Sequence, residues 1–209
     1  MVVGEIAMGT QVLVVGSGPG GVTHSHRGAN RERLETEQTL WRTRHPPMPT
    51  QALPLITFDE ALTLHLNGDD VQVTHLPGGH TDGDAVVIFA KGRVVCAGDL
   101  YFSGMYPIFH PEHGGSLDGY VRNVGWLLEH APQGAKIVPG HGPLSGKPEL
   151  ARYHRMITAS IAAVRDGIKS GRTLQEIQKT GLDPEWEPFS HGYRNTDRWL
   201  ASIYESLTK

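Results

Sequence analysis

Three short apolar runs in this chain each end in glycine and then in a side chain able to bind a metal. Val71 to Leu76 leads into Pro77-Gly78-Gly79-His80, Arg93 to Ala97 into Gly98-Asp99, and Ala135 to Val138 into Pro139-Gly140-His141. Runs of this length and composition read as β-strands. Glycine lets the backbone turn sharply, so the next side chain projects over the sheet edge. Singly, a histidine after a strand is more often a hydrogen-bonded turn residue, and Gly-Asp is a common turn. Sheet packing alone gives no reason for the same arrangement three times. If the strands are neighbours, His80, Asp99 and His141 converge at one rim. Two imidazoles and a carboxylate are a common hydrolytic zinc set, with a position left open for water. Zinc brings the pKa of such a water to about 7.

The rest of the chain supplies a scaffold for such a rim. Gln11 to Val15 reads as a buried strand, followed by Gly16-Ser17-Gly18-Pro19-Gly20-Gly21. Asn30 to Arg44 is polar and predicts a helix. Pro46, Pro47, Pro49 and Pro54 make an extended linker that no helix can cross. Leu62, Leu64 and Leu66 alternate with polar residues as in a half-buried strand, turned by Asn67-Gly68-Asp69-Asp70 into Val71 to Leu76. Ala85 to Ala90 and Arg93 to Ala97 predict a second hairpin with Lys91-Gly92 as its turn.

Helices dominate the second half. Ser116 can cap one whose inner face is Leu117, Val121, Val124 and Leu128, stopped by Pro132. Pro148 opens a long helix striped by Leu150, Tyr153, Ile157, Ile161, Val164 and Ile168, with Gly171 at its end. Thr173 and Glu176 form a capping box for a short helix to Thr180. A last helix from Thr196 to Leu207 buries Trp199, Ile203 and Leu207. Strands and helices alternate through one unit spanning residues 1–209, an α/β domain.

Composition removes several function classes. Hydrophobic residues at 38% and charged residues at 20% exclude a disordered chain. A formal net charge of −3 gives no basic excess for nucleic acid or an acidic membrane surface. The single cysteine, Cys96, forms no internal disulfide and is expected in the core. No apolar run reaches the roughly 20 residues of a membrane span. Residues 1–18 lack the positively charged start of a signal peptide, so a cytoplasmic setting is expected. Twelve histidines are many, and each is a candidate ligand or proton carrier.

Gly79-His80-Thr81-Asp82-Gly83-Asp84 resembles the third metal motif of the metallo-β-lactamase superfamily. Gly98-Asp99-Leu100-Tyr101-Phe102 is similar to its bridging-aspartate motif, and Pro139-Gly140-His141-Gly142-Pro143 to its last histidine motif. Tyr106-Pro107, Gly114-Gly115-Ser116 and Leu144-Ser145-Gly146-Lys147 fit in the same order. The resemblance covers roughly Arg31 to the C-terminus, with 55–209 well matched and 1–45 truncated or divergent. It implies an αββα sandwich of the metallo-β-lactamase type with a shortened N-terminal half. It also implies a site for one or two zinc ions: His80 on the first metal, Asp99 bridging, His141 on the second. The implied activity is zinc-dependent hydrolysis of a small-molecule ester, thioester, lactone or lactam.

One departure weighs against a full site. The superfamily's His-x-His-x-Asp-His loop, which supplies ligands to both metals, stands nowhere in this sequence. The nearest text is Thr23-His24-Ser25-His26. Either His24 and His26 begin that loop, with its remainder deleted, or they are half-exposed residues on one face of a later strand. The second reading fits the text after Asn30 without a further gap. The departure keeps open a catalytically inactive scaffold or binding protein of the same fold, and pairing with a second copy to cover apolar surface. A third alternative is nucleotide binding through Gly16 to Gly21, which fits strand then G-x-G-x-x-G. No acidic strand end follows at the spacing that motif needs, so a plain glycine-rich loop is favoured.

Weaker candidates surround the triad. His110 and His113 sit in a loop expected to overlook the site. Asp82 and Asp84 either hold His80 or cap the turn at Gly83. Ser145 and Lys147 suit either an anionic substrate or a helix entry. His191 and Tyr193 are placed to rim a pocket.

Overall fold

The computed structural model describes residues 4–8, 11–15, 36–40, 43–47 and 58–209. Strands β1 (Gly4–Met8) and β2 (Gln11–Val15) pair antiparallel. Strands β3 (Gln38–Leu40) and β4 (Thr43–His45) form a second small hairpin. The helix expected over Asn30 to Arg44 is therefore corrected at its C-terminal end. Polar residues do not by themselves separate helix from strand, and Thr39 and Thr43 carry β-branched side chains that favour extended backbone.

The main sheet has five strands: β5 (Ala61–Leu66), β6 (Asp69–His75), β7 (Ala85–Phe89), β8 (Val94–Phe102) and β9 (Lys136–His141), adjacent in that order. β5 to β8 run antiparallel, and β9 lies parallel to β8. Leu66 pairs Asp69, which makes Asn67-Gly68 a two-residue turn with both φ values positive, at 49° and 75°. The next turn is wider than Lys91-Gly92. Phe89 pairs Val94, leaving Ala90 to Arg93 as a four-residue loop. Asp69 draws it in, accepting from Lys91 N at 2.8 Å and Gly92 N at 3.3 Å.

Helices α1 (Leu117–His130), α2 (Lys147–Lys169), α3 (Leu174–Thr180) and α4 (Thr196–Thr208) follow. Ser116 caps α1, accepting from Gly119 N, and Thr173 with Glu176 forms the capping box of α3. Val86, Ile88, Val95 and Ala97 form one core with Tyr120, Val124 and Leu127 of α1, Leu150, Tyr153 and Ile157 of α2, and Trp199 and Ile203 of α4. Val71, Val73, Ala85, Val87 and Phe89 form a second cluster with Leu62, Leu64 and Cys96. The residues of β7 divide alternately between the two clusters, and all five are buried and apolar. Among the described residues no helix is long and apolar enough to cross a membrane.

Candidate functional site

β6, β8 and β9 deliver their glycine-linked side chains to one rim. His80 Nε2 lies 3.3 Å from Asp99 Oδ2, and His141 Nε2 lies 3.3 Å from Asp99 Oδ1. One carboxylate thus stands between two imidazoles. His80 is the deepest of the three side chains, 4% exposed against 11% for Asp99 and 25% for His141, so the site opens on the His141 side.

The glycines act in different ways. Gly98 has φ 54° and sits at a register shift where β8 slips against β9, which turns Asp99 onto the rim. Gly140 has no such strain. A side chain there would run into Asp99 Oδ1 and the backbone of Gly98, so its bareness lets β9 lie directly on the carboxylate.

Each ring is held from behind. His80 Nδ1–H donates to the carbonyl of Ile108 at 2.8 Å, which leaves Nε2 as the unprotonated nitrogen facing Asp99. Burial pushes the His80 pKa down, outweighing the pull of Asp99, and so favours the neutral ring. The 3.3 Å approach to Asp99 is close enough for an ion pair but lacks hydrogen-bond geometry. His80 Nε2 is accordingly a buried nitrogen without a hydrogen-bond partner. Neutral, it presents a lone pair to a carboxylate oxygen, an arrangement that calls for a cation between them. His141 stacks on Phe102, with centroids 4.8 Å apart and planes at 23°, and its Nδ1 lies 3.3 Å from the Tyr193 hydroxyl. Two atoms bound to one tetrahedral zinc at about 2.0–2.1 Å lie about 3.3 Å apart, the separation found here on each side of Asp99. The donor set and the orphaned nitrogen therefore fit a zinc-type ion. Among the described residues, however, no group of three or more His, Cys, Asp or Glu side chains is drawn together tightly enough to hold one.

Asp99 is anchored through its backbone. Tyr120 donates its hydroxyl to the Asp99 carbonyl at 2.8 Å and lies 2.9 Å from the Tyr153 hydroxyl. Burial raises both phenol pKa values, so both rings stay neutral. Tyr120→Phe strands that carbonyl, and a stability loss of about 1–3 kcal/mol is expected in a urea melt.

Asp84 lies beneath the loop. Its Oδ2 accepts from His80 N at 2.6 Å, while its Oδ1 accepts from Thr81 N at 3.1 Å and Thr81 Oγ1 at 3.0 Å. It thus grips the backbone of His80 rather than its ring. Burial pushes its carboxyl up to about 7, against these bonds, from 3.8 in the open chain. Between those values the native protein holds a proton that the unfolded chain has released, so stability falls as pH rises from about 4 to about 7. Urea melts of metal-free protein across that window are expected to show this decline, and Asp84→Asn to flatten it. Parallel profiles for the two proteins would contradict that assignment.

Other candidates divide clearly. The His110 ring meets His80 edge-on at 4.9 Å, and its Nδ1 lies 2.9 Å from Glu112 Oε1. Tyr193 reaches His141, whereas His191 is exposed. Asp82 is exposed, and its carbonyl accepts from His75 Nε2 at 2.7 Å. Ser145 donates to the Tyr101 hydroxyl of β8, and Lys147 donates to the Ala131 carbonyl just beyond α1. His24, His26 and Gly16 to Gly21 lie outside the described residues. Sequence reasoning missed the Ile108 carbonyl and the Phe102 ring as supports of the site.

No protein-family model and no curated protein matches the chain. Solved structures do. Over 78% of its length the chain superposes on the stereoselective inverting sec-alkylsulfatase Pisa1 from Pseudomonas sp., with TM-score 0.61 and 15% identity. Over that span the α/β fold is the one found in the alkylsulfatase. The chain spans only 27% of the alkylsulfatase, about a quarter of its length. A metallo-β-lactamase from Pontibacter korlensis is 21% identical, covering 51% of this chain and 50% of that one at TM-score 0.45. A protein solved in a di-iron-bound form is 29% identical over 52% of this chain and 51% of its own, at TM-score 0.42. Beside the two small hairpins, the described residues supply one mixed five-stranded sheet with a helical layer packed on it.

Proposed function

We propose that this chain is a metal-dependent hydrolase in which His80, Asp99 and His141 hold zinc, one ion or two, and act on a carbonyl ester, thioester, lactone or lactam. The observation that carries the reading is His80 Nε2, buried without a hydrogen-bond partner 3.3 Å from a carboxylate oxygen. A zinc ion supplies Lewis acidity and a water of pKa about 7.

The protein's own groups do the remaining work. The Ile108 carbonyl fixes the His80 tautomer, as the outer partner of a metal-binding histidine commonly does. Asp99 presents one oxygen to each imidazole, which suits a bridging role. Its carboxylate is also the group placed to accept a proton from an attacking water. Phe102 covers one face of His141 and keeps water from that side. His141, the most open of the three, marks the side from which substrate enters.

Metal-free protein offered zinc is expected to take up at least one ion, and the loaded protein to hydrolyse an activated ester until a chelator is added. Failure to take up zinc would end this reading.

A catalytically inactive scaffold is the second reading. Its support is the lack, among the described residues, of a group of three ligand side chains tight enough to hold a metal. Hydrolysis abolished both by a chelator and by Asp99→Ala would rule it out.

A further inference from the structure

Beside the histidines lies a cleft of about 850 Å³, walled by Ile108, His110 and Ser116 on one side and by Tyr193, Arg194 and Arg198 on the other. Two of its walls belong to the site itself. Ile108 holds His80 by its carbonyl, and Tyr193 touches His141. We propose that this cleft is a recognition site for an oxyanion, a carboxylate or phosphate group carried by the substrate, with Arg194 and Arg198 as its receptors. The assignment rests on the hydrolase reading for its choice of substrate, but not for its test.

The arginines carry the argument. They stand four residues apart where the chain enters α4, Arg194 just before the Asn195 cap and Arg198 in the first turn, and their like charges repel. Neither has a carboxylate within ion-pair distance among the described residues. Arg194 is half buried, and the one hydrogen bond its guanidinium makes there is to Ser202 Oγ. Burial and the neighbouring Arg198 both push its pKa down, and Glu205 pulls the other way. Glu112 and Glu205 also line the cleft; Glu112 is engaged by His110 at 2.9 Å, and Glu205 lies beyond ion-pair distance of either arginine. Two adjacent guanidiniums thus face a cavity with most of their N–H donors unspent. The planar fork of a guanidinium matches a carboxylate or phosphate with two parallel hydrogen bonds. A ligand held there by its anion lies along the cleft towards His110, whose ring meets His80, and towards Tyr193, whose hydroxyl meets His141. The substrate class is therefore an acyl compound with a negative group remote from the bond to be cut.

Calorimetric titration of metal-free protein tests this apart from hydrolysis. Glutarate and glycerol phosphate are the anionic probes, and glutaramide is the neutral control. At least one anion is expected to bind, more tightly than the amide, and the tighter of the two identifies the oxyanion. Arg198→Gln, a change at an exposed position, is expected to weaken that binding about tenfold or more. Arg198→Lys, which keeps the charge and loses the fork, should fall between. In the zinc-loaded protein, the kcat/KM preference for an acyl ester ending in carboxylate over its neutral counterpart should drop by a similar factor in Arg198→Gln. Binding of neither anion, or equal affinity in wild type and in a variant with both arginines replaced by glutamine, would overturn the assignment. Zinc uptake would be unaffected by either result.

Discussion

Asp99→Ala is expected to weaken zinc binding by more than about 100-fold, beyond the 10- to 100-fold that follows loss of an outer supporting group. The change removes both oxygens that face the imidazoles, so it strikes both halves of the site at once. His80 would be left deeply buried with the Ile108 carbonyl and the Phe102 and His110 rings around it, and His141 with Phe102 and Tyr193. The fold should survive, because Tyr120 grips the Asp99 carbonyl and not its side chain. Competition with a chromogenic chelator measures the affinity, and activated-ester hydrolysis should fall with it. An unchanged affinity would mean that the carboxylate is not a ligand.

Gly140→Ala is expected to act on the same atoms from the other side. The added methyl would press into Asp99 Oδ1 and into the backbone of Gly98, where there is no flexible side-chain end to yield. Overpacking of this kind costs about 1–3 kcal/mol. The displaced carboxylate should lower zinc affinity about 10- to 100-fold, as loss of an outer support does. Gly125→Ala is the matched control. Its methyl would meet only His154 Nε2, at an ordinary 3.7 Å, within α1. It should leave zinc affinity unaltered and raise stability by about 0.5–1 kcal/mol. Equal effects from the two substitutions would remove the special role given to Gly140.

The parts of this architecture that were legible in the sequence are those written locally. The strand-glycine-ligand endings are each contained within a few residues, and the geometry brings all three side chains to one rim. The caps at Ser116 and Thr173 depend on spacings of three, and the long stripe of α2 on a helical period. What escaped depends on distant backbone. The carbonyl that orients His80 lies 28 residues away, and no side-chain pattern marks it. β8 runs past its apolar start to Phe102 because β9 pairs along it across the slip at Gly98. The 3₁₀ segment Pro184–His191 contains Pro188, and its two buried residues, Trp186 and Phe189, mark a single turn, too short a pattern to announce a helix. Asp84 had two sequence readings, and it satisfies both by capping the turn and holding His80 through the backbone. The arginine pair had no visible meaning until α4 was seen to wall a cleft.

The central claim is that zinc sits where the two Nε2 atoms face the Asp99 carboxylate. Anomalous diffraction from crystals of zinc-loaded protein, recorded on both sides of the zinc absorption edge, addresses it directly. The account predicts a peak in reach of His80 Nε2, His141 Nε2 and the Asp99 oxygens. A difference map with zinc elsewhere on the chain, and none at this rim, would contradict it.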